Sequence, residues 1–129
     1  MNQAEAVERI NGILAHVWMI RTFLKHADEI QEREEFLEVP RTLFDSIRAT
    51  EPAFQKGDHQ EYLRRIRGKL SRMRRVSDFF SSNYLEVSDH TNFQMAALSL
   101  STAVQEIEKV LSTMTTDPQT VEEKDPTVL

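Results

Sequence analysis

Cysteine is absent from the 129-residue chain. No disulfide framework, thiolate metal site or cysteine nucleophile is therefore available, which is compatible with a reducing cytoplasm. Glycine and proline are scarce, at three and four residues. A fold that turns often needs both, so their shortage points to long helices rather than to a turn-rich sheet. There is no Gly-rich phosphate loop, no Gly-x-Ser-x-Gly and no His-Glu-x-x-His, which argues against the enzyme classes that depend on those motifs. The most apolar stretch, Ile13 to Leu24, is too short for a membrane span and carries His16 and Arg21. The opening residues, MNQAEAVERI, are polar and acidic, where a secretory leader is basic and then apolar. A soluble cytoplasmic protein is expected.

What is present is a composition of 40% apolar and 29% charged residues, enough to bury a core in one domain. The net charge of −5 argues against general nucleic-acid binding, and no membrane partner is expected. Within the apolar stretch, Ile10, Ile13, Val17, Ile20 and Leu24 recur at three and four residues and share one helical face. A second row, Gly12, Ala15, Met19, Phe23 and Ile30, falls roughly opposite. A helix apolar on two faces is either wrapped by other helices or shared with another chain. Met19, Phe23 and Ile30 are therefore the candidate interface of a homo-oligomer.

The periodicity predicts a first helix over about 3–35, running through Asn11-Gly12, with a strongly acidic last third. Acid at a helix C-terminus opposes the macrodipole, so fraying or cationic neighbours are expected there. Pro40 is placed to begin a second helix, through Leu43, Phe44 and Ile47. Pro52 kinks that helix or restarts its last turn, and Gly57 sits at its C-terminal cap. Asp58 and Glu61 have capping-box spacing and open a third helix, whose core row is Leu63, Ile66, Leu70, Met73 and Phe80, with Val76 or Ser77 between. Ser88-Asp89 signals a fourth helix to about Met114, along Phe93, Ala97, Leu100, Val104, Ile107, Leu111 and Met114. The expected fold is all-α, an antiparallel up-down-up-down four-helix bundle over 1–114. A disordered acidic tail is expected over 115–129.

Three polar features carry candidate chemistry. Arg64, Arg65, Arg67, Lys69, Arg72, Arg74 and Arg75 make the third helix basic. Glu106 and Glu108 are expected to lie against its first half, and the basic run is either a charge-compensated face or a docking patch for an acidic protein partner. His26, Glu29, Glu86 and His90 fall at one end of the expected bundle, and this nitrogen and oxygen set would suit zinc, iron or manganese. The paired Glu-x-x-His motifs of di-metal bundles are absent, and no cofactor is called for. Trp18 is most simply a packing anchor with its indole N–H near the surface.

Arg21-Thr-Phe-Leu-Lys-His26 is similar in spacing to the Arg-x4-His motif of the all-helical HEPN ribonucleases, over those two residues alone. The resemblance implies His26 as general acid or base and Arg21 as the phosphate-stabilising group. Two functions follow from the sequence. The first is a non-enzymatic protein acting by self-association. The alternative is a small metal-dependent or ribonuclease-type enzyme centred on His26.

Overall fold

The computed structural model describes residues 1–114, and among these the fold is all-helical, with no strand. The first helix, α1 (Gln3–His26), starts at a reciprocal cap. Asn2 Oδ1 accepts the Glu5 N–H at 2.8 Å, and Glu5 Oε1 accepts the Asn2 N–H at 2.9 Å. The helix continues through Asn11-Gly12 and buries Val7, Ile10, Leu14, Val17, Ile20 and Leu24.

It does not run to residue 35. Ala27 is extended, and a one-turn helix, α2 (Asp28–Gln31), follows before α3 (Glu34–Lys56). The break has an electrostatic reason. In one continuous helix, Asp28, Glu29, Glu34 and Glu35 would crowd the negative end of the macrodipole. Instead they occupy the first turns of α2 and α3, while Lys25 and His26 close α1. Packing acts in the same direction, because the redirected chain brings Ile30 and Phe36 to zero exposure.

Pro40 lies inside α3, not at its start. With no N–H, it leaves the Phe36 carbonyl without its helical donor, a cost of about 3 kcal/mol in a helix interior. Burial of Phe36, Val39 and Pro40 itself holds the preceding turn in place. Pro52 is also internal, without a restart. Gly57 closes the helix at φ +71°, and the Asp58 N–H reaches back to the Ala53 carbonyl at 2.9 Å. That left-handed cap is the conformation glycine adopts at least cost.

Asp58 Oδ1 then accepts the Glu61 N–H at 3.1 Å and opens α4 (His59–Asn83). A 3-10 turn, Tyr84–Glu86, leads into α5 (Thr91–Thr113). The α5 cap is His90, two residues past Ser88. Its Nδ1 accepts the Asn92 N–H at 3.0 Å, so the ring proton of neutral His90 resides on Nε2. Ser88 Oγ accepts the His90 N–H at 3.0 Å.

The four long helices enclose one core. α1 packs against α3 and α5, α4 packs against the same two, and α1 touches α4 only sparsely. The largest fully buried side chains include Phe36, Tyr62, Phe80, Ile66, Met73 and Leu100. All seven residues of the row expected on α5 are buried, whereas Leu70 of α4 is only partly so. At one end, Arg33 ties the start of α3 to the turn before α5. Its Nη2 lies 3.1 Å from Glu86 Oε1, and its Nη1 donates to the Glu86 carbonyl at 3.3 Å. Among the described residues no helix is long and apolar enough to cross a membrane. The acidic segment over 115–129 lies outside the described residues.

Candidate functional site

The face shared by α1 and α5 carries three of the six exposed large apolar side chains among the described residues. Met19 is 65% exposed, and beside it on α5 stand Met95 at 47% and Leu98 at 60%. Two adjoining hollows of about 480 and 460 Å³ run between the helices and share His16, Met95 and Ser99. Phe23 forms part of the groove wall; its ring packs on Phe93 of α5 with centroids 5.2 Å apart. Among the side chains lining the two hollows, Glu106 is the one Asp, Glu, Lys or Arg, and His16 lines both. The second apolar row of α1 is thus divided. Gly12, Ala15 and Met19 face outward, Phe23 is half-buried, and Ile30, beyond the end of the helix, is in the core. Ile30 does not belong to the exposed face, because the break at Ala27 turns it inward.

The α1 pattern alone does not point to Met95 and Leu98 as part of this face. They sit beside the buried row Phe93, Ala97 and Leu100, three residues apart from each other, and that offset was the available signal.

The histidine and carboxylate set does not assemble. Among the described residues no group of three or more His, Asp or Glu side chains is arranged to hold a metal ion. His26 Nδ1 lies 2.9 Å from the Thr22 carbonyl of its own helix, and Glu86 is paired with Arg33. His90 uses Nδ1 as a helix cap. Glu29, exposed at the start of α2, makes no ion pair with a described residue.

The basic residues of α4 divide into two groups. Glu61 takes both Arg64 and Arg65, at 2.8 Å each. Their hydrogen bonds, Arg64 first, hold its carboxyl down to about 2. Arg74 pairs with Glu108 of α5. That contact is in the second half of α4, not the first, and Glu106 pairs instead with Lys109 on its own helix at 3.7 Å. Arg67 is partly buried. Lys69, Arg72 and Arg75, three residues apart along one stripe, have no carboxylate partner among the described residues.

Arg21 and His26 are not brought together. Five residues apart on a helix, they point about 140° away from each other around the axis. The Arg21 guanidinium is stacked on two aromatic rings, 4.4 Å from the Trp18 centroid and 4.8 Å from that of Phe44 on α3. The two rings are 5.9 Å apart. Trp18 is partly buried in this stack.

Comparison with protein-family models, with curated proteins and with solved structures finds no match to this chain.

Proposed function

We infer that the chain works as a helical association module whose α1/α5 face pairs with a second copy of itself. The observation that carries this reading is the exposure of Met19, Met95 and Leu98 side by side along a nearly uncharged groove. Exposed, contiguous apolar surface of this kind marks interaction sites more often than isolated apolar residues do. Charge opposes a like partner least here. A chain of net charge −5 repels its own copy over most of its surface, and it meets that copy at least cost on the face where Glu106 is the one acidic lining residue. A two-fold contact is self-complementary: the Met19 and Leu98 ridge of one copy faces the groove of the other.

The fold this reading assumes is the antiparallel up-down-up-down four-helix bundle. Its support is the neighbour order of the helices, the short connections between α3, α4 and α5, and the Arg33–Glu86 tie at one end. In such a bundle the apolar part of the α1/α5 face, from Ile13 to Phe23, is roughly 15 Å long and two helices, or about 20 Å, wide. That is small beside the ~800 Å² per partner of a standard interface, so the association is weak and concentration-dependent.

Replacing Met19 and Leu98 together by Glu tests the face without touching the core. Phe23 is avoided because it packs on Phe93. The double variant stays helical by circular dichroism and stays monomeric at concentrations where wild type associates. A variant that associates like wild type, or that unfolds, contradicts the reading. A second reading, docking of an acidic protein segment on α4, draws support from the stripe Lys69, Arg72 and Arg75. It predicts binding of an acidic peptide that weakens steeply with salt. The enzyme alternative at His26 has no comparable support, since its proposed partners lie elsewhere.

A further inference from the structure

A second cleft, of about 600 Å³, lies between α1, α2 and α3. Its apolar walls are Leu37, Pro40 and Phe44, and its polar lining includes Arg21, Lys25, Arg41 and Asp45. The charges in it are not equivalent. Arg41 is already bound to Glu34 at 2.7 Å and lies 3.6 Å from Glu38. Arg21 and Lys25 have no carboxylate partner among the described residues, and Asp45 is the one acid lining the cleft. With Arg41 held by Glu34 and Glu38, Arg21 and Lys25 are the lining cations left to meet an anionic group.

Arg21 is also restrained. Its Cζ lies 4.4 Å from the Trp18 centroid and 4.8 Å from that of Phe44, and the two centroids are 5.9 Å apart, so the rings flank the guanidinium on adjoining sides and not on opposite faces. It therefore loses little further freedom on binding, and it has no described acceptor. A planar guanidinium with unspent N–H donors can take both oxygens of a carboxylate at once. Phe44, Leu37 and Pro40 beside it offer a surface for an apolar body.

From these features we propose that the α1/α2/α3 cleft binds a flat organic carboxylate. Its carboxylate is taken by Arg21, with Lys25 alongside, and its ring lies against Phe44, Leu37 and Pro40. The site is separate from the α1/α5 face and does not depend on self-association.

The chain has a single tryptophan, and it belongs to the Arg21 stack. Its indole N–H gives one cross-peak in a 15N-labelled NMR spectrum, which reports on the cleft through the contact of Trp18 with Arg21. The probe is 4-fluorobenzoate, titrated at constant ionic strength and read both by the Trp18 cross-peak and by 19F NMR. The controls are 4-fluorobenzyl alcohol, which keeps the ring and lacks the charge, and acetate, which keeps the charge and lacks the ring. The expected result is a saturable shift of the Trp18 cross-peak with 4-fluorobenzoate and a much weaker response to either control. Arg21→Gln and Lys25→Gln each weaken binding, the former by about tenfold or more, as loss of a charged hydrogen-bonding pair does. Arg21→Lys keeps the charge and loses the coplanar donors, so it too binds weakly. Should Arg21→Gln fail to fold, Arg21→Lys and Lys25→Gln decide the matter. Absence of a saturable shift, an equal response to the alcohol or to acetate, or undiminished binding by these variants overturns the proposal.

Discussion

The joint between α1 and α3 is where the chain departs from one continuous helix, and Phe36 is its anchor. The Phe36 side chain has zero exposure. Its ring lies 5.0 Å from Phe79 and 6.4 Å from Phe80, with the Arg33 guanidinium 5.0 Å from its centroid. Truncating a buried phenylalanine to alanine costs about 3–5 kcal/mol, and two aromatic partners place Phe36→Ala at about 4 kcal/mol. At roughly 2.1 cal/mol/K per residue, the entropy of unfolding the described region is about 0.24 kcal/mol/K, so Tm falls by about 17 °C. Phe36→Leu, which keeps most of the volume, costs about 1 kcal/mol and about 4 °C. Thermal melts followed by circular dichroism read both. If Phe36→Ala lowers Tm no further than Phe36→Leu does, Phe36 is not in the core, and the account of why the helix breaks at Ala27 fails.

Tyr62 has zero exposure and donates its hydroxyl to Asn11 Oδ1 at 3.1 Å. Tyr62→Phe should cost about 1 kcal/mol and lower Tm by about 4 °C. Burial raises the Tyr62 pKa well above its ordinary 10.0. The unfolded chain therefore releases this proton first, and wild type should lose stability as pH rises past about 10, more steeply than Tyr62→Phe does, in urea titrations. Glu61 behaves in the opposite sense. Its carboxyl is lowered from 4.5 to about 2 by Arg64 and Arg65, so its contribution is present above 4.5 and disappears as pH falls from 4.5 to 2. The small stability advantage of wild type over Glu61→Gln, modest because the pair is at the surface, should vanish across that window. Gly57→Ala forces a side chain into φ +71°, and should cost about 1 kcal/mol, visible as a lower urea midpoint with unchanged slope.

Much of this fold is written locally. The α5 row is legible because Phe93, Ala97, Leu100, Val104, Ile107, Leu111 and Met114 keep one period with no competing signal, and all are buried. Gly57 and Asp58 mark their caps by chemistry that acts within a few residues. The misreadings come where tertiary contacts outweigh local preference. Periodicity carries through Ala27, yet the chain bends there because Ile30 and Phe36 gain burial and four acids gain favourable helix ends. Pro40 reads as a start, yet its neighbours in the core hold a turn before it. Helix α4 keeps the expected row but buries Tyr62 ahead of Leu63 and leaves Leu70 half-exposed.

The candidate sites were less legible, because each depends on which helices become neighbours. Met19 is recognisable from α1 alone, whereas Met95 and Leu98 acquire meaning only once α5 lies beside it. Sequence spacing pairs Arg21 with His26. Its actual partners are Trp18, one turn back, and Phe44, on another helix. Sequence groups Glu86 with the histidines, whereas in the fold it closes on Arg33, 53 positions earlier.

The central claim, pairing of two copies through the α1/α5 face, is tested most directly by solution mass. Light scattering coupled to size exclusion, over at least a tenfold concentration range, should show the mass rising from 15.0 kDa toward twice that value. The Met19→Glu, Leu98→Glu double variant should remain at the monomer mass throughout. A wild type that stays at 15.0 kDa at every concentration, or a double variant whose mass rises in the same way, contradicts the account.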